Sequence, residues 1–258
     1  MGNYHEDLVL LGGLVPLLIC RHPETEDFLP RPATLDVDLG VSLGASAGQY
    51  GTMSSDLRAH GFHPSTEYPG RFEKEDKGIK LYVDFLVEHG TAPQGTRMVD
   101  DVPASVLPGV VRALESARIV PLEGIDFFGA RQNIRARVCE VGPFLVLKLR
   151  AFLNRQQPKD AFDILYTVKY YDKGPDDAIA AFANEADLDN PAFPDALQAL
   201  QALFSGESDP GPVKASHFVL GQQQSGESSQ VREHRILIRQ DMVDIAQALL
   251  RACGPGRS

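Results

Sequence analysis

Apolar and polar positions change rhythm about halfway along the chain. In the first half they alternate in twos; in the second they recur every three or four residues. Leu35, Val37, Leu39, Val41 and Leu43 fall on one face of residues 35 to 43, and Asp36 and Asp38 on the other. That spacing predicts a strand with one buried face. The run "IKLYVDFLVE" also alternates, with Leu81, Val83, Phe85 and Val87 set against Lys80, Tyr82, Asp84 and Leu86. It follows "RFEKE" across Asp76-Lys77-Gly78, which predicts a hairpin with glycine in its turn. The opening apolar stretch, residues 5 to 20, reads as a helix-like segment broken at Gly12-Gly13. Residues 21 to 33 form a polar, proline-rich connection. A short helix over 52 to 60, a turn or short strand at "GFHPS", a helix over 104 to 117 with Pro108 inside it, and a strand-rich piece over about 118 to 140 complete the first half.

The second half reads as helices. In "GPFLVLKLRAFLNR", Phe144, Leu147 and Ala151 recur at three and four residues. Pro158 sits in the first turn of the next helix, where a missing N–H costs little. Further helices are expected over 175 to 186, 194 to 204 and 236 to 252. Residues 205 to 233 are rich in Ser, Gly, Gln and Pro, which predicts a flexible loop with "HFVL" as a contact segment. Strands followed by helices predict an α+β fold: a first domain over 1 to 142 and a helical C-terminal domain over 143 to 258.

Composition narrows the function classes. The 258 residues, 43% of them apolar, can build a sizeable core. A net charge of −10 opposes a large basic surface for non-specific nucleic-acid binding. Arg131, Arg135, Arg137, Lys148, Arg150 and Arg155 are the most basic neighbourhood, either lining a cleft or lying on solvated faces. Cys20, Cys139 and Cys253 are far apart and form no C-x-x-C pair, so buried thiols are expected rather than a zinc site or disulfide framework. Acidic residues, and no basic region, precede the first apolar run, which is also too short to span a bilayer. A cytoplasmic protein with no membrane partner is the expectation. No G-x-x-x-x-G-K-[ST] loop, G-x-S-x-G elbow or H-E-x-x-H motif occurs.

The acidic residues carry the candidate chemistry. Two carboxylates two residues apart on a strand share a face at roughly 6.5–7 Å. They raise one another's pKa unless a cation lies between them. Mg²⁺ favours such oxygen ligands and keeps positions open for phosphate. Asp84 offers a third carboxylate on the polar face of a second strand. If the strands are neighbours, the three can hold two metals and support phosphoryl or nucleotidyl transfer; otherwise they lie on solvated strand faces. Gly12-Gly13 either lets backbone N–H groups approach an anion or makes a helix-stopping turn.

"LLGGLVPLLI" followed by "RPATLDVDLGV" resembles the signature of the polymerase-β-like nucleotidyltransferase superfamily, a glycine loop and then a strand with R-x-T-x-D-h-D. "LYVDFL" resembles its third-carboxylate strand. "LVLKLRAFLNRQQPKDAFDILYTV" resembles the K-x-x-A…R…K-D-x-x-D-h segment of the AbiEii-type and related minimal nucleotidyltransferases. The resemblance covers about residues 8 to 170. It implies a nucleotidyltransferase-type mixed sheet with flanking helices. It implies Gly12 and Gly13 along the triphosphate of a bound NTP. Asp36, Asp38 and Asp84 would then be ligands of two Mg²⁺ ions, Asp84 also a base, and Lys148 a phosphate clamp. Thr34 would bond a phosphate or cap the strand end. Lys159, Asp160 and Asp163 match the later charged motif, and either touch substrate or lock their helix onto the sheet. The implied reaction moves a nucleoside monophosphate from an NTP to a hydroxyl on tRNA, protein or a small molecule. The implied settings are a toxin paired with an antitoxin protein, a phage-defence component, or an aminoglycoside-type modifying enzyme. A binding module that keeps the fold without catalysis is the other reading. Two features depart from the family pattern: Gly12-Gly13-Leu14 stands where many members have Gly-Ser, and "CRHPETEDFLP" is inserted before the acidic strand.

Overall fold

A computed structural model describes residues 6–23, 29–42, 53–90, 95–99, 101–125 and 129–254. The fold is α+β, and the chain divides into two units: Met1–Leu18 with Ala33–Glu140, and Ile19–Pro32 with Val141–Ser258.

The first unit is built on a mixed sheet. Its strands are β1 (Leu8–Leu11), β2 (Asp36–Val41), β3 (His63–Pro64), β4 (Arg71–Asp76), β5 (Ile79–Val87), β6 (Thr96–Val99), β7 (Val102–Val106), β8 (Arg118–Ile125) and β9 (Arg131–Val138). The order is β3-β4-β5-β2-β1-β9-β8, with β7 also pairing with β5 and with β6. A 3-10 turn (Gly12–Leu14) and α1 (Val15–Ile19) follow β1; α2 (Met53–Ala59) and α3 (Val110–Glu115) are the other helices among the described residues of this unit.

Two strands, β2 and β5, run parallel at the centre, with Val37 opposite Val83, Leu39 opposite Phe85 and Val41 opposite Val87. These residues turn to one side of the sheet, where Met53 and Leu57 of α2 join Phe62, Phe72, Val102 and Ala104 in an apolar cluster. Phe72 and Phe85 meet edge to face at 5.8 Å, a favoured aromatic geometry. Residues of the opposite parity, Asp36, Asp38 and Asp84 among them, face the other side. Leu35 is 56% exposed, just outside the strand, and Leu43 lies outside the described residues. The β4–β5 hairpin closes through Lys77 and Gly78, both at positive φ (50° and 80°). That is the two-residue turn whose twist suits paired strands, and glycine accepts its second position without strain.

Two expectations fail here. Leu8–Leu11 is a strand, not part of a helix: a short apolar run fits either element, and pairing with β2 and β9 decides. The helix expected over 104 to 117 is instead β7 followed by α3. Pro108 biases Leu107 away from helical conformation, and sheet pairing claims the residues before it. Gly109 and Val111 donate their backbone N–H groups to Glu88 at 3.1 and 2.8 Å, so a side chain from beyond β5 caps α3.

The second unit is helical: α4 (Val141–Arg155), α5 (Pro158–Tyr170), α6 (Pro175–Asn184), α7 (Phe193–Leu203), α8 (Pro210–Leu220) and α9 (Ser229–Ala252). Phe144, Leu145, Leu149 and Phe152 make α4 almost wholly buried. Residues 19 to 22 run beside the end of α5. Arg21 N–H bonds Tyr170 O at 2.8 Å, Asp172 N–H bonds Ile19 O at 3.0 Å, and the His22 ring meets the Tyr166 hydroxyl at 2.8 Å.

The flexible loop expected over 205 to 233 holds α8 in its middle. Composition misleads because Pro210 occupies the first turn, where proline is tolerated. Phe218 stacks on Phe162 at 4.4 Å, and Ala215 and Ser216 are buried. The last helix also starts earlier than its apolar pattern suggests. The Ser228 side chain accepts from Val231 N–H at 3.3 Å, a capping contact that admits a polar first turn.

Candidate functional site

The acidic patch of the first unit follows from strand register. Asp36 and Asp38 share a face of β2, and Asp38 lies directly opposite Asp84 on parallel β5. Neighbouring strands sit about 4.8 Å apart, so the two carboxylates arise side by side. Asp36 stands opposite Tyr82. Thr34 accepts the Asp36 N–H at 3.3 Å, a contact at the entrance of the strand.

Gly12 closes the patch on the β1 side. Its φ is +65°, and a Cβ built there would lie 1.6 Å from Asp38 Oδ2. Only glycine fits both constraints. Leu11 lies opposite Asp38 in the antiparallel β1–β2 pair, so the turn brings its backbone onto that carboxylate. Gly13 is buried within the same 3-10 turn.

Sequence reasoning missed Arg71. It opens β4 opposite Asp84. Its Nε donates to Asp84 Oδ1 at 2.7 Å and its Nη2 to Oδ2 at 2.6 Å, a two-pronged pair. Tyr82 and Tyr68 place their rings 4.6 and 5.1 Å from the guanidinium carbon, within cation–π range. The hydrogen bond to Asp84 raises the Arg71 pKa most strongly, burial lowers it, and the charges of Asp84, Asp36 and Asp38 raise it further. One cation therefore answers to all three carboxylates. The signal was available: with Lys77-Gly78 as the turn, counting back from Asp84 across the hairpin lands on Arg71.

The donors are carboxylates on one face of the sheet beside a bound guanidinium, a donor chemistry that suits a hard divalent ion. As the side chains stand, no group of three or more His, Cys, Asp or Glu among the described residues is arranged to hold a metal. Both oxygens of Asp84 are engaged by Arg71.

The other candidates lie in the second unit. Lys148, on α4, is 7% exposed. Its ammonium meets Asp160 Oδ1 at 3.2 Å and Asp163 Oδ2 at 2.7 Å. Arg155 Nε reaches Asp160 at 2.7 Å, and Lys159 reaches Asp163 at 2.9 Å. The charged motif thus ties α5 to α4, not to the sheet. Burial pushes the Asp160 carboxyl up, but the Arg155 hydrogen bond and the Lys148 charge outweigh it and hold the group below its ordinary value.

The basic neighbourhood is largely committed. Arg137 donates to the carbonyls of Glu6 and Leu114, Arg150 pairs with Asp195, and Lys148 and Arg155 belong to the network just described. Arg131 and Arg135 are exposed on β9. No helix of the described residues is long and apolar enough to cross a membrane.

In comparisons with known proteins, no family model matches the chain. A search of curated proteins gives no match either.

Proposed function

We propose that the chain is a Mg²⁺-dependent nucleotidyltransferase that transfers a nucleoside monophosphate from an NTP to an acceptor hydroxyl. The observation that carries this reading is the register of β2 against β5, which sets Asp38 beside Asp84 with Asp36 on the same face. The Gly12 backbone against Asp38 supports it. Mg²⁺ held there would lower the acceptor's pKa and neutralise the departing phosphates. Asp36 and Asp38 serve as ligands. Asp84 serves as ligand and accepts the hydroxyl proton, and the turn after β1 holds the triphosphate against the sheet. Lys148 supports α5 through Asp160 and Asp163 in this reading.

The test is transfer of label from each α-labelled NTP, with Mg²⁺, into protein, RNA and small-molecule fractions. Label in one fraction, reduced on the order of 10²–10⁴-fold by Asp84→Asn, supports the assignment. The pairing of Asp84 with Arg71 favours a second reading, a nucleotide-binding module without turnover. Nucleotide binding with no labelled product in any fraction would establish that reading instead.

A further inference from the structure

Asp84 is the third carboxylate of the proposed metal site, yet its strongest partner is a side chain. The two-residue turn at Lys77-Gly78 fixes the β4–β5 register, so Arg71 is aimed at Asp84 by backbone pairing. The guanidinium takes both carboxylate oxygens in a planar fork. A divalent ion on Asp84 would need one of those oxygens and would sit against a fixed positive charge. Arg71 and the metal therefore oppose each other at Asp84.

Arg71 also has a way out. Its side chain is 24% exposed, and Asp84 is 19% exposed. Tyr68, one of the two rings beside the guanidinium, is 57% exposed. The Tyr68 and Tyr82 rings lie within cation–π range of the guanidinium, and a guanidinium is suited to bidentate contact with phosphate.

We propose that Arg71 is an internal counter-ion that competes with the divalent cation for Asp84 and transfers to the phosphates of the incoming nucleotide, so that metal and nucleotide bind together. This rests on the nucleotidyltransferase reading above and adds a residue that couples its two ligands. The coupling is reciprocal: whatever the phosphates contribute by drawing Arg71 away from Asp84 reappears as tighter metal binding.

Mn²⁺ binding without nucleotide, followed by electron paramagnetic resonance of the free ion, tests the first half. Arg71→Gln should tighten Mn²⁺ about tenfold, within the usual range of coupling between sites. Arg71→Lys, which keeps the charge and loses the fork, should fall between the two. The lysine variant carries the comparison if the glutamine variant fails to fold by circular dichroism. Calorimetry with α,β-methylene-ATP at saturating Mn²⁺ tests the second half: Arg71→Gln should weaken the analogue. Folded variants that bind Mn²⁺ no more tightly than the unmodified chain overturn the competition, as does an unchanged analogue affinity. In those cases the proposed function stands, because the unmodified chain still binds metal. If Mn²⁺ binds neither the unmodified chain nor any Arg71 variant, the metal site itself fails and both readings go with it.

Discussion

Gly12 is the most constrained position beside the acidic patch. A side chain there meets a left-handed backbone and a carboxylate oxygen 1.6 Å away. Gly12→Ala should cost roughly 1–3 kcal/mol in stability, measured by urea unfolding, by combining backbone strain with displacement of Asp38. It should also weaken Mn²⁺ binding, since the carboxylate that moves is a proposed ligand. Unaltered unfolding in Gly12→Ala would show that the turn relaxes around the added methyl. Residue spacing alone disclosed the acidic residues, because alternation put Asp36, Asp38 and Asp84 on polar strand faces. Arg71 stayed hidden because it begins a polar run, "RFEKED", in which nothing but register distinguishes one charged residue from the next.

Among the elements, the hairpin and α4 to α7 follow directly from local pattern. Two positive-φ residues at Lys77-Gly78 allow little but a tight reversal. Pro158, Pro175 and Pro210 each mark the first turn of a helix. What pattern could not supply was partner choice. Leu8–Leu11 becomes a strand because two other strands accept it, and α8 forms because Phe162 offers Phe218 a place to stack. Lys148 shows the same dependence between helices. The resemblance implies a phosphate clamp, but its partners on α5 make it the tie between α4 and α5. Lys148→Met leaves two buried carboxylates short of a counter-charge and should destabilise the second unit by about 3–5 kcal/mol in urea unfolding. A loss below about 1 kcal/mol would mean that Arg155 and Lys159 suffice to hold the pair, as exposed ion pairs of small net worth would not.

At the scale of the whole molecule, ionisation links the charged network to pH. Asp160 stays ionised to lower pH in the folded chain than its ordinary value allows. Its stabilisation is therefore complete above the usual carboxylate range, near pH ~4, and disappears as pH falls through the lowered value. Melting temperatures followed from about pH 6 to about pH 3 should drop more steeply for the unmodified chain than for Asp160→Asn, which has no such proton to take up. Equal slopes would remove Asp160 from the acid response. The sequence by itself determined the two regimes of the chain, strands then helices, because hydrophobic periodicity is local and each element must bury a face. It also determined which carboxylates stand on polar strand faces, since parity on a strand needs no partner. Only tertiary structure decided that β2 and β5 are parallel neighbours in the register that sets Asp38 against Asp84, and that Arg71 closes on the pair. Those facts depend on which strands pair and how they slide, and a one-residue slip would send every side chain to the opposite face.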